Sequence, residues 1–132
     1  KAYIDTGVGG PSLVNYASGV LLGFNTIQYE YGGSNFNTTT SEYTIPSNGV
    51  YQFIVRVSLG ATQTTTLLGI GLYRNAEVNP QIRNGKYGAN IENMSTNIYC
   101  VAGEKWKVKI VVGPISIEVL RPWTEFIITK LS

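Results

Sequence analysis

The strongest constraint on the fold is residues 50–59, where apolar and polar side chains alternate. This period of two is typical of a β-strand with one buried face. Just upstream, Pro46 and the Asn48-Gly49 pair predict a turn, because proline fixes φ and Asn-Gly tolerates a positive φ. The stretch therefore predicts a short strand at 43–45, a tight corner, and a long strand whose inward residues are Tyr51, Phe53, Val55, Val57 and Leu59.

Size and charge limit the classes of protein to consider. A chain of 132 residues is long enough for one domain with its own core and short for two. Its net charge is +2, and its ten Lys and Arg residues are scattered, so nucleic acid is not an expected partner. No apolar run approaches the roughly 18 residues of a membrane span, which predicts no membrane insertion. Because residue 1 is Lys rather than Met, we expect a processed product or a piece of a longer protein.

The residues that usually carry catalysis are scarce. Histidine is absent, which excludes histidine-dependent triads and histidine-ligated zinc. The eight acidic residues form no recognisable motif, and no Asp-rich loop suggests calcium. Cys100 lies in an apolar stretch and is predicted to be structural. The sequence therefore predicts no enzyme, no catalytic residues, no cofactor and no metal.

The rest of the chain predicts further strands and no helix longer than a turn or two. One or two strands are expected in 20–29, one in 67–74 and a last one in 124–131. A short edge strand is expected at 77–82, followed by a turn at Asn84-Gly85. Residues 95–101 and 104–112 flank Ala102-Gly103 and are expected to form a hairpin. The residues expected to point inward from its second arm are Trp106, Val108, Ile110 and Val112. Eight to ten short strands without helices predict an all-β antiparallel sandwich of the jelly-roll or immunoglobulin kind.

Several apolar residues do not fit on the inward faces of these strands. Such a surplus usually marks a surface that contacts a partner. The simplest explanation is an oligomer whose subunits pack their sheet faces together. The residues concerned are Val50, Ile54, Tyr99, Val111 and Ile127.

A series of motifs in a fixed order resembles the globular head of the complement C1q family, which belongs to the tumour-necrosis-factor-like jelly rolls. The resemblance covers residues 20–131, and its most specific parts are the corner at 46–53 and Gly-Glu-Lys-Trp at 103–106. The motifs are FNTI at 24–27, YTIPSNGVYQF at 43–53, LYRN at 72–75, AGEKWKV at 102–108 and TEFIITKL at 124–131. The resemblance implies a ten-stranded jelly-roll sandwich that forms a homotrimer about a threefold axis, often at the tip of a stalk.

Two departures from the family pattern modify this expectation. The last strand carries Phe-Ile-Ile-Thr at 126–129 where the family usually has Phe-x-Gly-Phe, so its packing must differ. Residues 1–10 lack Gly-X-Y triplets and are similar to linkers in phage and bacterial fibre proteins. We therefore expect a neck at 1–15, a C1q-like domain at 16–132, and an extracellular location on a virion fibre or bacterial surface. The trimer interface is expected to include Ile54, Tyr99, Ile127 and Thr129.

Two functions are compatible with such a head. The first is recognition of cell-surface carbohydrate or protein, for which loop aromatics and amides are suited because they combine apolar faces with polar groups. The second is a structural trimerisation cap, or a capsid or surface decoration, with no ligand of its own. The residues predicted to bind a ligand in the first case are Tyr31, Asn35, Asn79, Arg83, Tyr87, Asn90 and Trp123.

Overall fold

The structure is a computed structural model that describes residues 1–3, 13–16, 21, 23–24, 26–27, 30, 33–59, 67–87, 91–112, 115–118 and 124–132. These residues form twelve strands, several of them only two residues long, rather than the ten expected. The strands are β1 (Ala2–Tyr3), β2 (Leu13–Tyr16), β3 (Thr26–Ile27), β4 (Phe36–Asn37), β5 (Glu42–Thr44), β6 (Gly49–Leu59), β7 (Leu67–Arg74), β8 (Ile82–Tyr87), β9 (Ile91–Cys100), β10 (Lys105–Val112), β11 (Ile115–Glu118) and β12 (Glu125–Lys130).

The strands make two antiparallel sheets. One sheet has seven strands in the order β2-β11-β6-β12-β1-β3, and β9 also pairs with β6. The other has five strands in the order β4-β5-β10-β7-β8. The all-β sandwich predicted from the alternating pattern is thus confirmed.

The long strand β6 lies at the centre of the first sheet, as its pattern predicts. It pairs with β9 along one edge and with β12 along the other. Its inward residues Tyr51, Phe53, Val55 and Val57 are at most 1% exposed. Trp106, which is completely buried, comes from the other sheet, and its ring centroid lies 4.8 Å from that of Phe53. Large side chains from both sheets therefore fill the space between them.

Hydrogen bonds fix the corner that precedes β6. The Tyr51 hydroxyl donates to the Ser47 carbonyl at 2.8 Å. The Ile45 N–H donates to the Glu104 carbonyl, and the Gly103 N–H donates back to the Ile45 carbonyl, each at 2.8 Å. The Ala102 N–H donates to Asn48 Oδ1, also at 2.8 Å. The corner and the turn between β9 and β10 thus hold each other in place.

The hairpin predicted around Ala102-Gly103 is wrong. β9 pairs with β6 in the first sheet, whereas β10 pairs with β5 and β7 in the second. The turn therefore carries the chain from one sheet to the other. Turn-forming residues predict a change of direction, but they do not determine whether the flanking strands pair.

The edge strand predicted at 77–82 and the turn predicted at Asn84-Gly85 are also wrong. Residues 75–81 form a loop, and β8 runs through the Asn-Gly pair. Gly85 pairs with Gly69 and Asn84 with Ile70, so the ladder with β7 continues across this position. The tertiary pairing overrides the local turn preference of Asn-Gly.

The segment expected to be a neck contributes strands to the first sheet. β1 and β2, which come from the segment expected to be a neck, both pair within the sheet. The boundary between residues 15 and 16 stays a prediction.

The Cys100 side chain is buried, and burial raises the pKa of its thiol to about 11. A thiol in this state is protonated at neutral pH and unreactive.

An ion cluster joins β1, β6 and β12 at one end of the first sheet. The Glu125 side chain is only 1% exposed, and its two oxygens lie 2.7 Å from Lys1 Nζ and 2.8 Å from Arg56 Nη1. A carboxylate buried to this extent is tolerated only because cations surround it. The cluster therefore ties the short β1 to the central strands.

We expect Glu125→Gln to lower the free energy of unfolding by about 1–2 kcal/mol, because the charge-assisted hydrogen bond from Arg56 weakens and the ion pair with Lys1 is lost. The value is moderate because the Arg56 side chain is 43% exposed, so water screens part of its charge. Urea unfolding measures the change. The control is Glu77→Gln, which alters a carboxylate that also pairs with an arginine but is 36% exposed, and which should lose less stability than Glu125→Gln because water screens the pair. Equal stability of Glu125→Gln and the parent would show that the cluster contributes nothing.

Candidate functional site

The most exposed large apolar side chain among the described residues lies in the loop between β7 and β8. We call residues 75–81 the 75–81 loop. Val78 at its tip is 89% exposed, and the predicted ligand residue Asn79 beside it is also exposed. Covering such a side chain with a partner surface is favourable, because apolar surface is then removed from water.

The 75–81 loop is held in one conformation by its own polar groups. Arg74 donates to Glu77 Oε1 through Nε at 3.1 Å and Nη2 at 2.8 Å, and Gln81 donates to the other oxygen of Glu77. These bonds from Arg74 and Gln81 lower the pKa of the Glu77 carboxyl. The network is therefore complete above the ordinary carboxyl pKa and is lost only as the pH falls through the lowered one.

Backbone contacts tie the same loop to its neighbours. Asn75 has a positive φ of 54°, a conformation that Asn tolerates better than most residues. Its N–H donates to the Lys105 carbonyl at 2.6 Å, and its Oδ1 accepts from the Lys105 N–H at 2.9 Å. The Gln81 N–H donates to the Leu72 carbonyl at 2.8 Å. A loop fixed in this way loses little conformational entropy when a partner binds it.

A pocket of about 340 Å³ opens between β5 and β12. Phe36 and Tyr43 line it from the five-stranded sheet, and Tyr51, Phe126 and Ile128 line it from the seven-stranded sheet. The predicted ligand residue Asn35 lies at its rim. The pocket is therefore a mixed aromatic and polar opening into the space between the sheets.

Polar groups at the rim of this pocket are already engaged within the chain. Glu30 Oε1 accepts the N–H groups of Asn35 at 2.5 Å and Phe36 at 3.1 Å. The Asn35 carbonyl accepts the Thr44 N–H at 2.8 Å, which fastens this loop to β5. Burial, and to a lesser extent the neighbouring Tyr51 and Glu30, raises the pKa of Tyr43. The phenol therefore stays protonated at physiological pH and can donate a hydrogen bond.

The four residues predicted for the trimer interface lie on one surface, the face of the first sheet that points away from the core. We call this surface the outer face. Ile54 pairs with Ile127 and Thr129 with Gln52, while Tyr99 pairs with Val50. Tyr99 is 61% exposed, and Ile54 and Ile127 are half-buried. Val111, which the alternating pattern also predicts to point outward, belongs to the other sheet.

The predicted ligand residues do not come together at one site. Asn35 precedes β4 and Asn79 precedes β8. These two strands form opposite edges of the five-stranded sheet, and four strand spacings separate them by about 19 Å. Arg83 and Tyr87 lie within β8, four residues or about 14 Å from each other. Tyr31, Asn90 and Trp123 lie outside the described residues.

Sequence reasoning missed Val78 and most of the pocket. Val78 was assigned to a strand, where an apolar residue needs no explanation. The pocket residues Glu30, Tyr43 and Ile128 are far apart in the sequence, and only the packing of the two sheets brings them together. The one available signal was Phe36, an aromatic residue in a polar stretch, which does pack against the core.

Two other kinds of site are absent from the described part of the chain. No group of three or more Cys, Asp or Glu side chains is placed to hold a metal ion. No helix in these residues is long and apolar enough to cross a membrane.

Comparison of the fold with solved structures places it among the TNF and C1q jelly rolls. Eiger TNF from S. frugiperda matches with a TM-score of 0.77 and 14% identity, over 99% of this chain and 90% of that one. The globular domain of zebrafish complement 1qA matches with a TM-score of 0.68 and 14% identity, over 92% and 91%. Murine APRIL matches with a TM-score of 0.66 and 14% identity, over 92% and 100%.

These similarities show the fold, and the jelly roll predicted from the C1q resemblance is confirmed. No protein-family model matches the chain, and no curated protein matches it. At 14% identity the alignments do not transfer individual binding residues.

Proposed function

We propose that the chain is a non-enzymatic recognition domain that assembles as a homotrimer and binds a cell-surface protein or carbohydrate. The observation that carries this proposal is the 75–81 loop, which is held by hydrogen bonds and yet presents Val78 with 89% of its surface exposed. A fixed apolar group beside the polar Asn79 offers a partner apolar surface to bury next to a hydrogen-bonding side chain. The likeness of the fold to a TNF and to a complement component agrees with this class of function.

We also propose an extracellular location, at the tip of a fibre or surface appendage. The proposal of a fibre rests on the similarity of residues 1–10 to linkers of phage and bacterial fibre proteins. The solved structures reported above come from an insect, a fish and a mouse, and they lend no support to a phage or bacterial origin.

The test is binding of the purified, labelled domain to a glycan array and to intact cells. We expect saturable binding, and we expect Val78→Asp to weaken it about tenfold or more, since a charge would replace the apolar contact. The matched control is Thr39→Asp, which places the same charge in an exposed turn at the other edge of the sheet. This control should bind like the parent.

Two outcomes would contradict this proposal in different ways. Equal binding by Val78→Asp and Thr39→Asp would show that the 75–81 loop is not the contact surface. A stable trimer that binds neither glycans nor cells would favour the alternative function, a structural trimerisation cap or a surface decoration.

A further inference from the structure

The turn between β4 and β5 carries an acceptor pattern for N-linked glycans. Asn37, Thr38 and Thr39 match Asn-x-Ser/Thr, in which the middle residue is not proline. A pattern this short also arises by chance in a chain rich in Asn, Ser and Thr. Its structural context distinguishes the two cases, because an acceptor has to lie in a turn or loop at the surface.

Asn37 has this context. It is the last residue of β4, and residues 38–41 form the turn that leads into β5. The side chains of Asn37 and Thr39, the two residues that the pattern requires, are both exposed. The Ser41 hydroxyl anchors the far end of the turn by donating to the Phe24 carbonyl at 3.1 Å. The acceptor pattern is therefore presented on a fixed turn at the surface.

The Asn37 amide is held with its nitrogen free. Oδ1 accepts the N–H groups of Thr39 at 2.9 Å and Thr40 at 3.2 Å. Within the described part of the chain, no group accepts a hydrogen bond from Nδ2. When Nδ2 loses a proton, negative charge moves onto Oδ1, and the two N–H donors stabilise that charge. Both bonds span at most three positions of the chain, so this turn can form before the whole domain has folded.

A glycan at Asn37 would leave the other candidate surfaces open. β4 forms one edge of the five-stranded sheet, whereas the 75–81 loop adjoins β8 at the opposite edge. The outer face belongs to the other sheet. A bulky polar group at Asn37 therefore covers neither surface. It would instead shield the edge at β4, and proteins usually protect such edges because they are templates for strand addition.

The chain contains a second match to the pattern, at 93–95, in a different context. Asn93 lies within β9 and pairs with Arg56, and Ser95 pairs with Ile54 of the outer face. Between them, Met94 is 5% exposed and packs in the core. This match is thus part of a continuous ladder beside the expected trimer interface, where a glycan would hold the copies apart. The folded assembly accommodates a glycan at Asn37 and not at Asn93.

We propose that Asn37 is a site of N-linked glycosylation. The co-reactant is an oligosaccharide joined to a lipid diphosphate. Nδ2 forms a bond to the anomeric carbon of the sugar as the bond from that carbon to the diphosphate oxygen breaks. The lipid diphosphate leaves with the electron pair, and a base of the transferase takes the amide proton. The proposal rests on the extracellular location proposed above, because exported chains receive such glycans, and it is independent of what the 75–81 loop binds.

The test is secretion of the domain from cultured animal cells. Gel mobility and peptide mass spectrometry detect the glycan before and after treatment with a peptide N-glycosidase. We expect one glycan per chain, which the enzyme removes while converting the Asn37 amide to a carboxylate. Asn37→Gln and Thr39→Ala should each lose the glycan completely. Thr39→Ser, which keeps the hydroxyl, and Thr38→Ala, which keeps the pattern, are the matched controls and should retain it.

The same proteins separate this site from the recognition surface. Glycosylated and enzymatically deglycosylated protein should form the same oligomer and should bind cells equally, because Asn37 lies away from both surfaces. Thr39→Asp, the control in the binding test above, also removes the acceptor pattern. That binding test therefore uses protein made in bacteria that attach no such glycan, so either proposal can fail without the other.

Three outcomes would overturn the proposal. Secretion of the parent without a glycan at Asn37 would show that the match is a chance one. A modification of Asn37 that persists in Thr39→Ala would show a different chemistry, because attachment would not depend on the pattern. A glycan at Asn93 in place of Asn37 would show that the exposed turn is not what selects the acceptor.

Discussion

Replacing Phe53 with alanine should lower the free energy of unfolding by about 3–5 kcal/mol, the usual cost of truncating a buried aromatic residue. Phe53 is 1% exposed, and its ring centroid lies 4.8 Å from that of Trp106 and 6.4 Å from that of Phe126. It therefore joins side chains from both sheets. The packing around it is closed on all sides, so the cavity left by the ring would not fill easily.

Denaturant unfolding and thermal melts measure this change, which should lower the melting midpoint by about 10 °C or more. Phe53→Leu should lose less stability than Phe53→Ala, because leucine keeps most of the side-chain volume. Tyr51→Ala should cost as much as Phe53→Ala, since it also removes the hydroxyl that donates to the Ser47 carbonyl. The control is Val78→Ala, which removes exposed methyl groups and should change stability by less than about 0.5 kcal/mol. Aromatic variants that melt within a few degrees of the parent would show that β6 does not form the core.

The features predicted correctly from the sequence are those with a strong local pattern. The alternation at 50–59 gave the central strand and its buried face. Trp106, Val108 and Ile110 were predicted inward from the same kind of pattern, and all three are completely buried. In such strands alternate side chains point to the same face, so the positions of the apolar residues identify the buried face.

The features that were predicted wrongly depend on which strands pair. Nothing local in Ala102-Gly103 distinguishes a hairpin from a crossing between sheets, and β9 and β10 in fact lie in different sheets. The Asn84-Gly85 pair has a strong turn preference, but β7 offers a glycine opposite it and the ladder continues. Pairing energy summed over a whole strand exceeds a preference of one or two residues.

The candidate sites were partly predictable for the same reason. Asn79 was selected as a loop amide, and it is exposed in the 75–81 loop. The neighbouring Val78 could be recognised only after the bonds from Arg74 to Glu77 showed that residues 75–81 are not a strand. The pocket requires the relative position of two sheets, which no local pattern contains.

The outer face leads to the second prediction of large effect, the homotrimer. Ile54 and Ile127 lie side by side across β6 and β12, and Tyr99 on β9 is 61% exposed. A monomer would leave this apolar surface in water, whereas a closed cyclic assembly covers it on every copy. We expect a particle of about 43 kDa, three times the 14.4 kDa of one chain, at micromolar concentration. Light scattering that returns a single chain would contradict both the trimer and the role of this face.

Ile127→Asp should abolish that assembly. Three like charges would be forced together in a poorly hydrated contact, where each uncompensated charge costs several kcal/mol. The variant should still fold, because Ile127 points away from the core and is half-buried in the single chain. Circular dichroism tests the fold and light scattering tests the mass. The matched control is Val78→Asp, which adds the same charge to the 75–81 loop and should stay trimeric. If Ile127→Asp also stays trimeric, Ile127 lies outside the interface, and the jelly roll stands while this assignment fails.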